Sequence, residues 1–200
     1  MKILKYLVLV PVLAGTLISC SDQKKNPADT YFEKGQYELA AETYTQTLRT
    51  NPTDVNTLYN RGRAYQEMGD FGKAQEDFET ALNQDPNNFQ VLLSLANVQI
   101  QQKNYASALL YATKAEEIPG APAMASFLKG RALHQLGLAE DALKAYENAI
   151  QLDDEFGQAY YNRGLLKLAL NRKKQACEDL KLATVLEYPG ASESFKKYCK

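Results

Sequence analysis

The chain has 200 residues, and its 23 lysines and arginines against 24 aspartates and glutamates give a formal net charge of −1 at pH 7. That balance excludes the strongly basic surface by which proteins bind nucleic acid. The single histidine excludes a metal centre built from several histidines.

Residues 1–19 are typical of a secretory signal peptide rather than of a folded domain. Lys2 and Lys5 give a charged start, and an apolar stretch follows at residues 6–17. An uncleaved membrane helix is the alternative. However, only fourteen uncharged residues separate Lys5 from Cys20, whereas a membrane span needs about 20. The segment therefore predicts export and cleavage.

The end of this segment, Leu17-Ile18-Ser19-Cys20, resembles the bacterial lipoprotein box. In that family the chain is cut before the cysteine, which is then acylated. The resemblance implies that Cys20 carries a lipid anchor, and that Ser21, in place of an aspartate, favours the outer membrane. Residues 21–26 extend over only about 20 Å. We therefore expect a protein of the bacterial cell envelope, held close to the lipid on the periplasmic face of the outer membrane.

Five consecutive 34-residue windows between residues 21 and 190 share one pattern of small residues. The position of Ala74 is alanine in every window, and the position of Gly62 is alanine or glycine. Apolar and small residues recur at intervals of three and four, which predicts two amphipathic helices in each window. Gly62 and Ala74 allow the two backbones to approach closely, and Phe78 fills the remaining space. The windows are 21–54, 55–88, 89–122, 123–156 and 157–190.

This period and these residues resemble the tetratricopeptide repeat. The resemblance implies an all-α solenoid of five helix-turn-helix repeats, wound as a right-handed superhelix over residues 27–190. Asn26 and Pro27 are typical of a helix start, and residues 191–200 are expected to form a capping helix. The third repeat departs most, because Lys103 occupies the usual turn glycine and Ala112 replaces the aromatic residue. This departure indicates either sequence drift or a functional bend.

In this family the first helices of the repeats line a concave groove that holds peptides or helices. Aromatic and arginine side chains are favoured at protein interfaces, and asparagines could bond to an extended peptide backbone. Tyr161 and Leu93 could instead pack partly between helices. The resemblance places these residues on the inner surface: Tyr59, Asn60, Arg63, Leu93, Asn97, Phe127, Arg131, His134, Tyr161 and Asn162.

The groove departs from the clamp by which some family members hold the acidic end of a chaperone. That clamp needs lysine, asparagine and arginine at fixed positions of three successive first helices. Here those positions hold Tyr59, Arg63, Ser94, Met124 and Leu128. We therefore expect no specificity for a terminal chaperone peptide.

The last repeat has two features that the groove does not explain. If Cys20 is acylated, Cys177 and Cys199 remain as a pair, which export would allow to form a disulfide or leave as two free thiols. Residues 157–200 also hold nine basic and four acidic side chains. Three of the basic side chains form the run Arg172-Lys173-Lys174, and Lys196, Lys197 and Lys200 follow. This end is either a solvated surface or a docking patch for acidic partners or anionic headgroups.

Catalytic chemistry has little support in the sequence. His134 has no evident nucleophile to activate, and no phosphate-binding or dinucleotide motif is present. We expect no enzyme activity, no cofactor and no small-molecule substrate. The sequence favours a membrane-anchored scaffold that binds an envelope protein or peptide. The alternatives are a pilotin-like lipoprotein that assists secretion or pilus assembly, and an accessory regulator of cell-wall synthesis.

Overall fold

The structure, a computed structural model, describes residues 26–200, and over that range the chain forms α-helices and no strand. Cys20, the signal peptide and most of the tether lie outside the described residues. The helices are α1 (Pro27–Glu33), α2 (Tyr37–Thr50), α3 (Val55–Glu67), α4 (Phe71–Gln84), α5 (Phe89–Gln101), α6 (Tyr105–Glu116), α7 (Ala123–Gln135), α8 (Ala139–Leu152), α9 (Gly157–Ala169), α10 (Lys173–Val185) and α11 (Ala191–Tyr198).

The helices pack in chain order, as expected for a solenoid. Each packs against its neighbours in the chain, and the first helices α3, α5 and α7 also adjoin one another. The expected all-α fold of five helix pairs with a closing helix is confirmed. The first helix begins where the sequence predicts, because the side-chain oxygen of Asn26 accepts a hydrogen bond of 3.0 Å from the amide of Ala28.

The repeated small residues allow the helices of a pair to approach closely. A Cβ atom placed on Gly62 would lie 2.7 Å from the Phe78 ring, and one on Gly130 would lie 2.7 Å from the Tyr146 ring. Such distances are well inside van der Waals contact, so these rings occupy the space that a larger residue would need. The repeated alanines are fully buried: Ala40, Ala74, Ala108, Ala142 and Ala176.

The turn inside each pair requires a left-handed backbone at one repeated position. Gly35, Gly69 and Gly137 have φ angles of 71°, 77° and 77°. At the same position the third repeat has Lys103 with φ 62° and the fifth has Asn171 with φ 59°. The third repeat therefore keeps the turn even without glycine, at a cost of about 1 kcal/mol. Its second helix, α6, has 12 residues where α4 has 14, so it is shorter than the second helix of the second repeat.

Candidate partner-binding groove

An open cavity of about 350 Å³ lies along the first helices of the second to fifth repeats. Five residues of the predicted groove line it: Tyr59 of α3, Leu93 and Asn97 of α5, and Phe127 and Arg131 of α7. The guanidinium carbon of Arg131 lies 5.9 Å from the centre of the Phe127 ring. The structure therefore brings together half of the predicted residues, from three successive repeats.

Two aromatic residues of the predicted groove are engaged elsewhere. Phe127 is only 1% exposed, because its ring packs against Tyr146 and Phe156 at centroid distances of 5.9 and 5.0 Å. Phe127 therefore lines the cavity as a core residue, and little of its ring is exposed to a partner. Tyr161 packs on Tyr188 at 5.0 Å, and its hydroxyl lies 3.2 Å from Oγ of Ser194 in α11. It therefore supports the closing helix, which agrees with the packing alternative.

Two further predicted residues lie towards the first repeat, outside the cavity. Arg63 is exposed, and its guanidinium carbon lies 4.6 Å from the centre of the Phe32 ring. Nδ2 of Asn60 donates a hydrogen bond of 3.5 Å to Oδ1 of Asp29. These contacts extend the predicted surface along the solenoid but do not widen the cavity.

The last two predicted residues also lie outside the cavity. Asn162 is half-buried, and its side-chain amide donates to the backbone oxygen of Gln158 at 2.8 Å. His134 is half-buried as well, and burial lowers its pKa below the ordinary value of 6.5. The imidazole is therefore held neutral at pH 7.

The cavity also has six lining residues that were not predicted as contacts. Four carry side-chain amides or a hydroxyl, and two are apolar. None of the eleven lining residues is acidic. The 34-residue period could have indicated some of them, because three of the six occupy the same repeated position in successive repeats. That position lies three residues before Leu93, Phe127 and Tyr161. The six are Gln66, Gln90, Ser94, Met124, Leu128 and Gln158, of which Gln90, Met124 and Gln158 share that position.

At the far end of the solenoid, the structure joins Cys177 and Cys199 in a disulfide with a Cα–Cα distance of 5.5 Å. Cys177 lies near the start of α10 and Cys199 follows the end of α11. The bond therefore ties the end of the chain to α10, although the two cysteines are 22 residues apart in the sequence. Arg172, the residue before α10, is partly neutralised by an ion pair of 2.5 Å with Glu140 of α8.

A charged cluster in the described range joins α6 to α7 through Glu116. Glu116 accepts bonds from Ser126 at 2.6 Å and from Lys129 at 2.5 Å. Burial alone would raise the pKa of Glu116, but these bonds outweigh it and lower the pKa.

Between residues 26 and 200, no group of three or more histidine, cysteine or acidic side chains is placed to hold a metal ion. No helix in that range has the length and apolar character that crossing a membrane requires.

Comparison with known families finds the tetratricopeptide repeat along most of the chain. Models described as "Tetratricopeptide repeat" match residues 59–122 and 157–186, and one described as "TPR repeat" matches residues 28–69 and 130–171. Human tetratricopeptide repeat protein 6 is 30% identical over 141 residues. That match spans 68% of this chain but only 26% of the human protein.

Solved structures show the same fold. YrrB, described as a TPR protein with an unusual peptide-binding site, superposes with a TM-score of 0.68 at 23% identity, over 85% of this chain and 88% of its own. PilW, described as a type IV pilus biogenesis factor, has a TM-score of 0.74 at 21% identity, over 80% of this chain and 74% of its own. From the repeated register, the stacked helix pairs and these matches together, the chain belongs to the tetratricopeptide-repeat family.

Proposed function

We propose that this protein is a non-enzymatic scaffold that binds an extended segment of another protein in the groove of its first helices. The proposal rests on the residues that line the cavity, which include several side-chain amides and one arginine and no acidic residue. Amides can both donate to and accept from a peptide backbone. An extended segment has unpaired backbone groups that need such partners.

The apolar part of the lining gives the groove room for side chains of the partner. Leu93, Met124 and Leu128 lie beside these amides, and Met124 is exposed enough to adapt to different partners. The groove thus offers backbone recognition along its length and apolar contacts at its centre. This combination is what interfaces for peptide segments require.

The proposed setting is the bacterial cell envelope, with Cys20 acylated and the solenoid held at the periplasmic face of the outer membrane. It is supported by the charged start, the apolar stretch and the Leu17-Ile18-Ser19-Cys20 ending. Metabolic labelling with a palmitate analogue tests it. We expect label in the full chain and none in Cys20→Ser; equal labelling of both would refute the anchor.

Photo-crosslinking in the native host tests the groove. A photoreactive amino acid at Gln90, an exposed residue of the cavity, should capture a partner, whereas the same residue at Gln46, exposed on α2, should not. Adding Asn97→Ala and Arg131→Ala should abolish the Gln90 adduct without changing the helical circular dichroism. An adduct that survives these substitutions would refute binding in the groove.

A second candidate function is assistance to pilus assembly or secretion, by carrying a client to the outer membrane. The superposition with PilW, described as a type IV pilus biogenesis factor, favours this candidate. Mislocalisation of an outer-membrane pore protein in a deletion strain would support it, and normal assembly of pili and secretion pores would refute it.

A further inference from the structure

The solenoid is electrically polarised along its length. Residues 26–156, which form the first four repeats, carry 10 basic and 19 acidic side chains, a net charge of −9. Residues 157–200 carry nine basic and four acidic side chains, a net charge of +5. The last repeat and the closing helix therefore form a positive end on an otherwise acidic molecule.

Six lysines of this end are exposed and form no ion pair with any residue between 26 and 200. The two arginines of the same end, Arg163 and Arg172, are held by Asp179 and Glu140, and Lys167 also pairs with Asp179. The exposed acids are half as numerous: Glu178, Glu187 and Glu193. The six lysines, called the lysine patch below, are Lys173, Lys174, Lys181, Lys196, Lys197 and Lys200.

The disulfide gathers the lysines of two helices at one place. The Cα atoms of Cys177 in α10 and Cys199 after α11 lie 5.5 Å apart. Lys173 and Lys181 stand four residues before and after Cys177, so they share its face of α10. Four residues of a helix rise by about 6 Å. The three lysines near the end of the chain stand within three residues of Cys199. Every lysine of the patch is therefore about one helical turn or less from a bonded cysteine.

An exposed tyrosine adjoins the lysine patch. Tyr198 is the last residue of α11 and is 38% exposed. The Nζ atom of Lys197 lies 5.0 Å from the centre of its ring. Tyrosine is enriched where proteins meet the membrane–water interface, because its ring is apolar and its hydroxyl is polar. The patch thus combines positive charge with a side chain that suits lipid headgroups.

The composition of the patch favours a lipid surface over a protein partner. Protein interfaces are enriched in arginine and depleted in lysine, whereas clusters of basic residues are attracted to anionic headgroups. The patch contains lysine alone, and both arginines of this end are already paired. The acidic repeats do not cancel the attraction, because charges beyond about 8 Å are largely screened at physiological salt.

We propose that the lysine patch docks the end of the solenoid on a membrane surface that contains anionic phospholipid. The ammonium groups contact headgroup phosphates, and Tyr198 lies at the level of the headgroups. The acyl anchor proposed for Cys20 precedes the first helix, so the patch attaches the opposite end of the solenoid. This inference goes beyond the proposed scaffold function, since no residue of the patch lines the groove.

Vesicle flotation tests the docking. The chain from Ser21 onward retains every helix of the described range and lacks the proposed anchor, so its binding reports the protein surface. It should float with vesicles of phosphatidylcholine and phosphatidylglycerol, and not with vesicles of phosphatidylcholine alone. Salt at about 1 M, which shortens the Debye length to about 3 Å, should release it. Failure to bind the phosphatidylglycerol vesicles at low salt would overturn the inference.

Two variants of equal charge test the location of the docking surface. Replacing four lysines of the patch by glutamine should weaken binding by about fivefold for each lysine. The same replacement of four exposed lysines in the first four repeats should leave binding nearly unchanged. Equal losses, with unchanged helical circular dichroism, would assign the binding to total charge and overturn the patch. The patch variant is Lys173→Gln/Lys174→Gln/Lys196→Gln/Lys197→Gln, and its control is Lys34→Gln/Lys73→Gln/Lys103→Gln/Lys144→Gln.

Lysine acetylation tests the docking in the full chain with its anchor. The acylated protein is reconstituted in the same two kinds of vesicle, and the acetylation rate of each lysine is read by mass spectrometry. Lys174 and Lys196 should react severalfold more slowly on phosphatidylglycerol vesicles, because the headgroups cover them. Lys103, which is exposed in the third repeat, should react alike on both. Equal rates for Lys174 and Lys196 on the two vesicles would overturn the inference.

Further outcomes distinguish lipid from other anionic ligands and from the groove. Inorganic phosphate should release the chain no better than chloride at equal ionic strength, and stronger release would assign the patch to free phosphate. Capture of a protein by a photoreactive residue at Gln175, an exposed neighbour of Lys174, would assign it to a protein partner. Loss of the groove adduct at Gln90 in the patch variant would contradict the independence of the two surfaces. Failure of that adduct in the wild type would refute the scaffold function and leave docking standing.

Discussion

The second and fifth repeats both join their two helices by an arginine and an aspartate at the same positions, but the fifth buries the pair more deeply. Arg61 bonds Asp77 at 2.6 Å with 20% of the arginine side chain exposed. Arg163 bonds Asp179 at 2.7 Å with 10% exposed, and Lys167 adds a second ion pair to Asp179 at 2.8 Å. The aspartate at this repeated position therefore forms one ion pair in the second repeat and two more deeply buried ion pairs in the fifth.

Both arginines also reach back to the preceding repeat. Arg61 donates to Thr45 at 3.0 Å, whereas Arg163 donates to Glu147 at 2.7 Å. In the third repeat the two positions hold Leu95 and Tyr111 instead. The comparison shows that the repeat period fixes where neighbouring helices meet, whereas the chemistry of the contact is free to be ionic or apolar.

The largest expected effect comes from breaking the buried pair. Asp179→Ala should lower the free energy of unfolding by about 4 kcal/mol, because it leaves Arg163 and Lys167 buried without their main acceptor. Asp77→Ala should cost about 2 kcal/mol, because Arg61 can reach water. Denaturant unfolding of both variants measures this difference. Glu147→Ala is the control and should cost under about 1 kcal/mol, because that carboxylate is 55% exposed. Equal losses for the two aspartates would contradict the ranking by burial.

A disulfide ties the fifth repeat to the closing helix, whereas the second repeat has no cysteine. Replacing Cys177 and Cys199 by serine should cost about 3 kcal/mol, because the bond closes a loop with a sequence separation of 22 residues. In repeat proteins, stability is shared mainly between neighbouring units. Hydrogen exchange should therefore quicken in α10 and α11 and remain unchanged in α3 and α4. Two free thiols in the protein isolated from its host would show that the bond is not used there.

The glycines of the two repeats should differ in how they tolerate a methyl group. A Cβ on Gly62 would lie 2.7 Å from the Phe78 ring, whereas one on Gly164 would lie 3.1 Å from Cγ of Leu180. Gly62→Ala should therefore cost about 2 kcal/mol through overpacking. Gly164→Ala should cost less, about 1 kcal/mol, because improved helix propensity only partly offsets three milder contacts, among them the backbone oxygen of Ala176 at 3.3 Å. Thermal unfolding distinguishes them, and a stabilised Gly62→Ala variant would show that the Phe78 ring moves freely.

The smallest effect concerns pH, through His134 between the two repeats. Burial lowers its folded pKa below 6.5, so the unfolded chain takes up the proton more readily than the folded one. The contribution of His134 is therefore complete above about pH 6.5 and declines as the pH falls towards the folded pKa. His134→Gln should flatten this part of the stability profile measured by denaturation between pH 5 and 8. An unchanged profile would show that His134 does not set the pH dependence in this range.

Much of the fold could be predicted because the same pattern of small and apolar residues occurs in five successive repeats. Asn26 at the first helix start and the glycine turn at Gly69 follow from local backbone chemistry, and the structure shows both. The groove was predictable only in part. Leu93 and Asn97 line the cavity as expected, but Phe127 is buried by Phe156, which stands 29 residues later, directly before α9. The pattern of small residues does not indicate that contact.

The sequence by itself determined the period, the helix pairs and the close approach at Gly62 and Ala74, because each depends on residues within one repeat. Only the tertiary structure decided which side chains are satisfied. Tyr44 and Tyr146 are the same residue at the same register position, yet one hydroxyl has Asp29 and the other has no partner within the described chain. Hydrogen bonding and burial depend on atoms that neighbouring helices bring within a few ångströms, and a repeat pattern specifies positions rather than those distances.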